Sequence, residues 1–260
     1  MSRIEALFAG GRKVFVGFLT VGDGGLERTL ESALALVDGG VDLLELGVPH
    51  SDPVADGPVI QRAAERALAV GTRPVDALHL AERLRARCAT PLLLFSYYNP
   101  LRAGGARFLQ RAADAGCNAV LAVDLPPENA AEHLTAAREA GLDTPFIVAP
   151  TTPPTRLSVL AEVCSGFAYC VTRPGTTGVR AALPKEFPEH MRRLRGVLPQ
   201  PLVAGFGIAD RASAAQALAV ADGFVVGSAF VAALEQGATP TELATLARRL
   251  DPRGRNGFSS

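Results

Sequence analysis

Short apolar runs alternate with amphipathic stretches along the whole chain. Eight runs read as strands: Val14–Thr20, Leu43–Gly47, Pro91–Ser96, Ala119–Asp124, Pro145–Ala149, Phe167–Thr172, Pro201–Gly205 and Gly223–Gly227. Each is rich in Val, Leu, Ile or Phe, and continuous apolar runs suit parallel strands covered on both faces. Between them the spacing turns helical. In Leu26–Val37, residues Leu26, Leu30, Ala33, Leu34 and Val37 share one face, and Gly39-Gly40 ends the helix. The same reasoning predicts helices over Val59–Val70, Pro74–Arg87, Gly105–Ala115, Glu128–Ala140, Pro154–Val163, Lys185–Leu198, Arg211–Val220 and Thr241–Leu250. Gly227–Gln236 reads as an extra short helix directly after the eighth strand.

Eight β–α units in series predict a closed (β/α)8 TIM barrel of the α/β class, with short extra helices at the N-terminus and after strand eight. A doubly wound sheet is the competing layout. The few strands per half and the extra last helix favour the barrel. No linker or repeat divides the chain, so residues 1–250 are expected to form one catalytic domain, with 251–260 as a flexible polar tail.

Composition narrows the class further. The chain has 260 residues, 48% of them hydrophobic, enough for one large core. Its formal net charge is zero, which gives no pointer to nucleic acid or to an acidic surface. Cys88, Cys117, Cys164 and Cys170 form no C-x-x-C pair and are read as reduced, with no metal role expected. Met1–Gly11 has no apolar signal-peptide core, and no apolar run approaches the ~18 residues of a membrane span. The expectation is a cytoplasmic protein away from membranes.

One residue breaks the apolar pattern. Glu45 interrupts Leu43-Leu44-Glu45-Leu46-Gly47-Val48, where an ionised acid is costly. A second acid, Asp56, follows in the turn-rich stretch Pro49–Pro58. In such barrels the active site lies at the C-terminal strand ends, and both acids obey that rule. Each has a plainer alternative. Glu45 could bond to backbone or an arginine, and Asp56 before Gly57-Pro58 could simply cap a helix.

Three loops carry glycine. They are Arg173–Arg180 after strand six, Gly205-Phe206-Gly207-Ile208 after strand seven, and Gly227-Ser228 after strand eight. Glycine lets backbone N–H groups approach an anion, and a helix N-terminus favours negative charge. Each loop alone could be a tight turn or a helix start. Together, at adjacent strand ends, they point to a phosphate site.

The stretch Leu44-Glu45-Leu46-Gly47-Val48-Pro49-His50-Ser51-Asp52-Pro53-Val54-Ala55-Asp56-Gly57-Pro58 closely resembles the signature of the tryptophan synthase alpha chain. Tyr97-Tyr98-Asn99-Pro100, Asp124-Leu125-Pro126, Gly175-Thr176-Thr177-Gly178, Gly205-Phe206-Gly207-Ile208 and Gly227-Ser228 follow in that family's order. The resemblance covers nearly the whole chain. It implies a barrel lyase of tryptophan biosynthesis that cleaves indole-3-glycerol phosphate to indole and glyceraldehyde 3-phosphate by retro-aldol chemistry. It also implies no cofactor or metal in this chain. The partner it implies is a beta chain carrying pyridoxal phosphate, in an alpha2beta2 heterotetramer.

The resemblance assigns roles as well. Glu45 is the expected general acid and base, and Asp56 the acceptor for the indole N–H. Thr177 sits on a lid and is expected to bond Asp56 on closure. Gly178, Gly207, Gly227 and Ser228 are expected to hold the phosphate, and Phe18, Phe95, Tyr97, Tyr169 and Phe206 to wall the indole. Asp52 and Pro53 are expected to face the beta chain. The chain departs from the family at His50, where an aromatic such as Phe is usual, and at Pro174 and Thr176 in loop six. Those departures bear on rate and regulation more than on reaction type. Three rival functions fit less well: a free-standing indole-releasing lyase, a non-catalytic activator of a beta chain, and a different phosphate-sugar barrel enzyme. No basic or metal-binding set accompanies the acids to support the last.

Overall fold

The computed structural model describes residues 1–172, 183–205 and 207–254. Eight strands run parallel: β1 Val14–Thr20, β2 Leu43–Gly47, β3 Leu92–Ser96, β4 Ala119–Ala122, β5 Phe146–Val148, β6 Ala168–Val171, β7 Leu202–Gly205 and β8 Gly223–Val226. They pair in the order β4-β3-β2-β1-β8-β7-β6-β5. The two ends of that ribbon meet through a parallel bridge between Ala119 and Asp143. There Val120 N–H donates to Asp143 O at 2.9 Å, and Asp143 N–H donates to Asn118 O at 3.0 Å. The barrel predicted from the alternation of elements is therefore present and all but closed.

The helices wrapping it are α1 Arg3–Leu7, α2 Leu26–Asp38, α3 Pro58–Ala69, α4 Pro74–Arg85, α5 Tyr98–Asp114, α6 Ala131–Glu139, α7 Pro154–Val163, α8 Phe187–Arg195, α9 Arg211–Leu218, α10 Ser228–Glu235 and α11 Pro240–Leu250. Several boundaries shift by one to three residues from the sequence expectation, and one shifts much further. Helix α5 starts at Tyr98, not Gly105, and Gly105 itself breaks it at φ 57°. Pro100 is tolerated in a first turn, and the starting N–H of Tyr98 finds Asp124 Oδ1 at 2.6 Å. That acceptor lies 26 residues away, beyond the reach of local pattern.

Strand side chains alternate between two cores. Val14, Val16, Phe18, Leu43, Leu93, Phe95, Ala119, Leu121, Tyr169, Val203 and Val225 pack inside the barrel. Phe15, Leu19, Leu44, Leu46, Leu92, Leu94, Val120, Phe224 and Val226 pack outward under the helices. Uniformly apolar strands follow from this double burial. Ile4, with Leu7 and Phe8, joins the inner core, so α1 plugs the end where the strands begin.

Asp251 and Arg253, assigned above to a flexible tail, are held instead. The Arg253 side chain is 7% exposed and takes both oxygens of Asp251 at 2.7 Å. It also donates to Lys13 O at 2.9 Å and Gly40 O at 2.8 Å, pairs with Asp42, and lies over the Phe15 ring. Residues 255–260 lie outside the described residues.

Candidate active site

Glu45 stands on β2 between Phe18 of β1 and Leu93 of β3. Strand parity sends it inward with Leu43 and Gly47. It is 1% exposed, and neither carboxyl oxygen has a hydrogen-bond partner among the described residues. Burial alone pushes its pKa up to about 8. A buried polar group without partners calls for an explanation other than stability. Burial thus favours the protonated, neutral form of Glu45 inside an apolar barrel.

Asp56 lies in the loop between β2 and α3, whose helix starts at Pro58 with Gly57 as its cap. The loop is folded by its own backbone: Asp56 N–H donates to Pro53 O at 3.0 Å, and Gln61 Nε2 donates to Asp56 O at 2.9 Å. The Asp56 carboxylate is buried rather than used as a helix cap. It accepts the Tyr97 hydroxyl at 3.1 Å, and that hydroxyl in turn accepts Ala55 N–H at 2.9 Å. Burial raises the Asp56 pKa to about 6, and the Tyr97 bond holds it from rising further. Both acids lie within electrostatic reach of Tyr169, whose own hydroxyl burial and these two charges hold well above the ordinary tyrosine range. Tyr169 on β6 thus stands near both acids.

Aromatic rings line the same region. Phe18 meets Phe95 edge to face at 5.6 Å, and Phe95 meets Tyr169 at 6.4 Å. Glycines make room for them. A Cβ on Gly47 would lie 2.4 Å from the Phe18 ring, and one on Gly205 would lie 2.0 Å from the Tyr169 ring. Phe18, Phe95, Tyr97 and Asp56 share a small cavity of about 10 Å³. A larger cavity of about 390 Å³ opens on the same face between the loops after β4 and β5, with Val123, Asp124, Ile147 and Arg156 in its wall. Tyr97 does double duty: its ring stacks on His50 at 4.6 Å while its hydroxyl orients Asp56.

Gly207 and Gly227 stand past the ends of neighbouring parallel strands, β7 and β8. Gly207 adopts φ +80°, a conformation that favours glycine. Ser228 opens α10, with Gly227 as its N-cap residue. Free backbone N–H groups at that helix start can receive an anion. Asp52 is exposed on the loop before Asp56, Pro53 is half-buried, and Val54 beside them is 66% exposed. Phe206, Thr177 and Gly178, with Pro174 and Thr176, lie outside the described residues.

Sequence reasoning missed the Tyr97–Asp56 bond and the ring-admitting role of Gly47 and Gly205. A tyrosine just past a strand end was the available signal for the first. Among the described residues, no three His, Cys, Asp or Glu side chains gather to hold a metal ion. No helix among them is long and apolar enough to cross a membrane.

The family model described as "Tryptophan synthase alpha chain" matches residues 4–252. The chain is 50% identical over 252 residues to a tryptophan synthase alpha chain of Coxiella burnetii, covering 97% of this chain and 98% of that one. It is 49% identical over 257 residues to one of Chlamydia felis, covering 97% and 100%. Among solved structures it resembles a Mycobacterium tuberculosis tryptophan synthase with TM-score 0.89 and 36% identity, covering 96% of each chain. It also resembles tryptophan synthase subunit alpha of Legionella pneumophila with TM-score 0.87 and 34% identity, covering 96% and 97%.

Proposed function

The chain belongs to the tryptophan synthase alpha chain family, and from that premise we propose that Glu45 and Asp56 are the acids that carry its reaction. The enzyme is a lyase: it cleaves indole-3-glycerol phosphate to indole and glyceraldehyde 3-phosphate, as the alpha subunit of tryptophan synthase. It uses no cofactor of its own; pyridoxal phosphate belongs to the beta chain with which it works.

The chemistry needs one proton given and one taken. Protonated Glu45 delivers its proton to indole C3, which makes the ring a leaving group. The carbon–carbon bond then breaks as the side-chain hydroxyl becomes an aldehyde and returns a proton to the same carboxylate. Positive charge on the ring nitrogen is met by ionised Asp56. The two environments fit those roles. Glu45 keeps its proton up to about pH 8, and Asp56 loses its own above about pH 6. Paired acids whose pKa values are pushed apart divide acid and base work in this way.

The phosphate rests on backbone N–H groups at Gly207, Gly227 and Ser228, with Gly178 and the Ser228 hydroxyl adding to them. The indole lies among Phe18, Phe95, Tyr169 and Phe206, beside Tyr97. Thr177 closes over Asp56 and excludes water. Asp52 and Pro53 meet the beta chain, and the exposed Val54 beside them supplies apolar contact of the kind such an interface buries. The assembly is an alpha2beta2 heterotetramer in the cytoplasm, where four free cysteines, three of them buried, stay reduced.

One observation carries the assignment: a fully buried carboxyl on an inward-facing strand position has no hydrogen-bond partner among the described residues. An indole-release assay on indole-3-glycerol phosphate, with and without added beta chain, tests it. Glu45→Gln should lose at least the roughly 10²–10⁴-fold attributed to a general acid and base. Near-normal turnover by that variant would refute the assignment. High unaided turnover by the wild type would mark a free-standing lyase.

A further inference from the structure

A charged cluster lies outside the site and joins three elements that feed it. Asp23 sits in the loop after β1, its side chain 3% exposed. Arg66 of α3 grips it with two parallel bonds, Nε to Oδ1 at 2.7 Å and Nη2 to Oδ2 at 2.8 Å. The third nitrogen of Arg66 reaches Glu235, the last residue of α10, at 2.8 Å. Arg62, one turn earlier on α3, takes both oxygens of Glu235 at 2.7 Å. Arg28 adds a bond to the neighbouring Leu234 carbonyl at 2.5 Å. The two guanidinium groups hold the Glu235 carboxyl down to about 2.

Each joined element carries a piece of the site at its other end. The loop with Asp23 follows Phe18 and Thr20 of β1. Helix α3 begins two residues after Asp56 and is tied to it through Gln61. Helix α10 begins at Ser228. A hydrogen-bonded helix moves as a rod, so a slide of α3 against α10 would change the span from Asp56 to Ser228. The substrate is held at both ends of that span, by its ring nitrogen and by its phosphate.

We propose that Arg66 is a positioning residue: with Asp23 and Glu235 it sets the span between the ring end and the phosphate end of the site. Exposed ion pairs do little for stability, but a bidentate pair on a buried carboxylate fixes geometry. Loss of such a clamp acts through misplacement: a substrate that must reach both ends of the site then binds less well, while a fragment that reaches one end does not. The inference rests on the substrate assignment above.

The test compares fragments with the whole, using the chain together with its beta chain. Glycerol 3-phosphate probes the phosphate end, indole the ring end, and indole-3-glycerol phosphate both. Arg66→Gln should bind each fragment within about twofold of wild type, while its KM for the full substrate rises about tenfold. Arg66→Lys keeps the charge but not the fork and should fall between. Glu235→Gln should shift KM in the same direction by less, because Arg66 keeps Asp23. An unchanged KM in Arg66→Gln overturns the proposal. So does a parallel loss of both fragments and substrate, which would mean general collapse. If Arg66→Gln does not fold, an unchanged KM in Glu235→Gln overturns it instead. Failure of wild type to release indole would sink the substrate assignment, whereas normal wild-type turnover with insensitive variants sinks only the positioning role.

Discussion

Replacing Glu45 by Gln should make the protein more stable, by an amount that depends on pH. Burial moves the proton-binding midpoint of Glu45 from 4.5 up to about 8. The folded chain then binds more protons than the unfolded chain between those values. Stability contributed by this site therefore falls as pH rises through that window and is lowest above about 8. The cost is on the order of 5 kcal/mol at pH 8 and about 3 kcal/mol at pH 7, taking 1.36 kcal/mol for each tenfold in proton binding. Gln has the shape of the protonated acid and no charge to lose. Urea denaturation of the wild type and Glu45→Gln at pH 5 and pH 8 measures the difference. The two should agree within about 1 kcal/mol at pH 5 and diverge by several at pH 8, with the variant ahead. For a chain of this size that divergence is a Tm gain of roughly 10–20 °C. Asp56 titrates in the same direction in both proteins, so its contribution drops out of the comparison. A constant gap across pH would refute the reasoning, because it would mean that Glu45 is not buried neutral.

Tyr97→Phe removes the hydroxyl that donates to Asp56 and accepts from Ala55, at a cost of about 1–3 kcal/mol. Without that donor the Asp56 carboxyl rises above about 6, so the acid limb of kcat/KM for indole release should move to higher pH. A limb that stays in place would separate Tyr97 from Asp56. Arg253→Met leaves the buried Asp251 without its cation and should cost about 3–5 kcal/mol. Calorimetry should show a Tm lower by about 10 °C with turnover at 25 °C unchanged, since Arg253 lies at the end of the barrel away from the acids.

Local pattern carried far into the fold. Strands β1 and β2 have the bounds that the apolar runs predict, and the alternation of runs and helices predicts the barrel. The apolar run around Glu45 foretold its burial, but which face it takes came from the barrel, where Leu43 of the same parity joins the inner core. The motif put Glu45 on the second strand and Asp56 in the loop that follows it. The start of α5 was not legible, because its acceptor, Asp124, arrives from another loop. The docking of Asp251 and Arg253 was not legible either, because polar residues with glycine look the same whether they fray or dock.

The sequence by itself determined which stretches become strands and helices, and which acid would be forced into the core. Those outcomes depend on residue spacing within a few turns of chain. Only the tertiary structure decided that Glu45 has no hydrogen-bond partner among the described residues, that Tyr97 orients Asp56 across 41 residues, and that Arg66 bridges Asp23 and Glu235 across 43 and 169. The reason is that an ion pair or a hydrogen bond between distant residues leaves no periodic trace. It exists only where closure of the barrel brings those elements side by side.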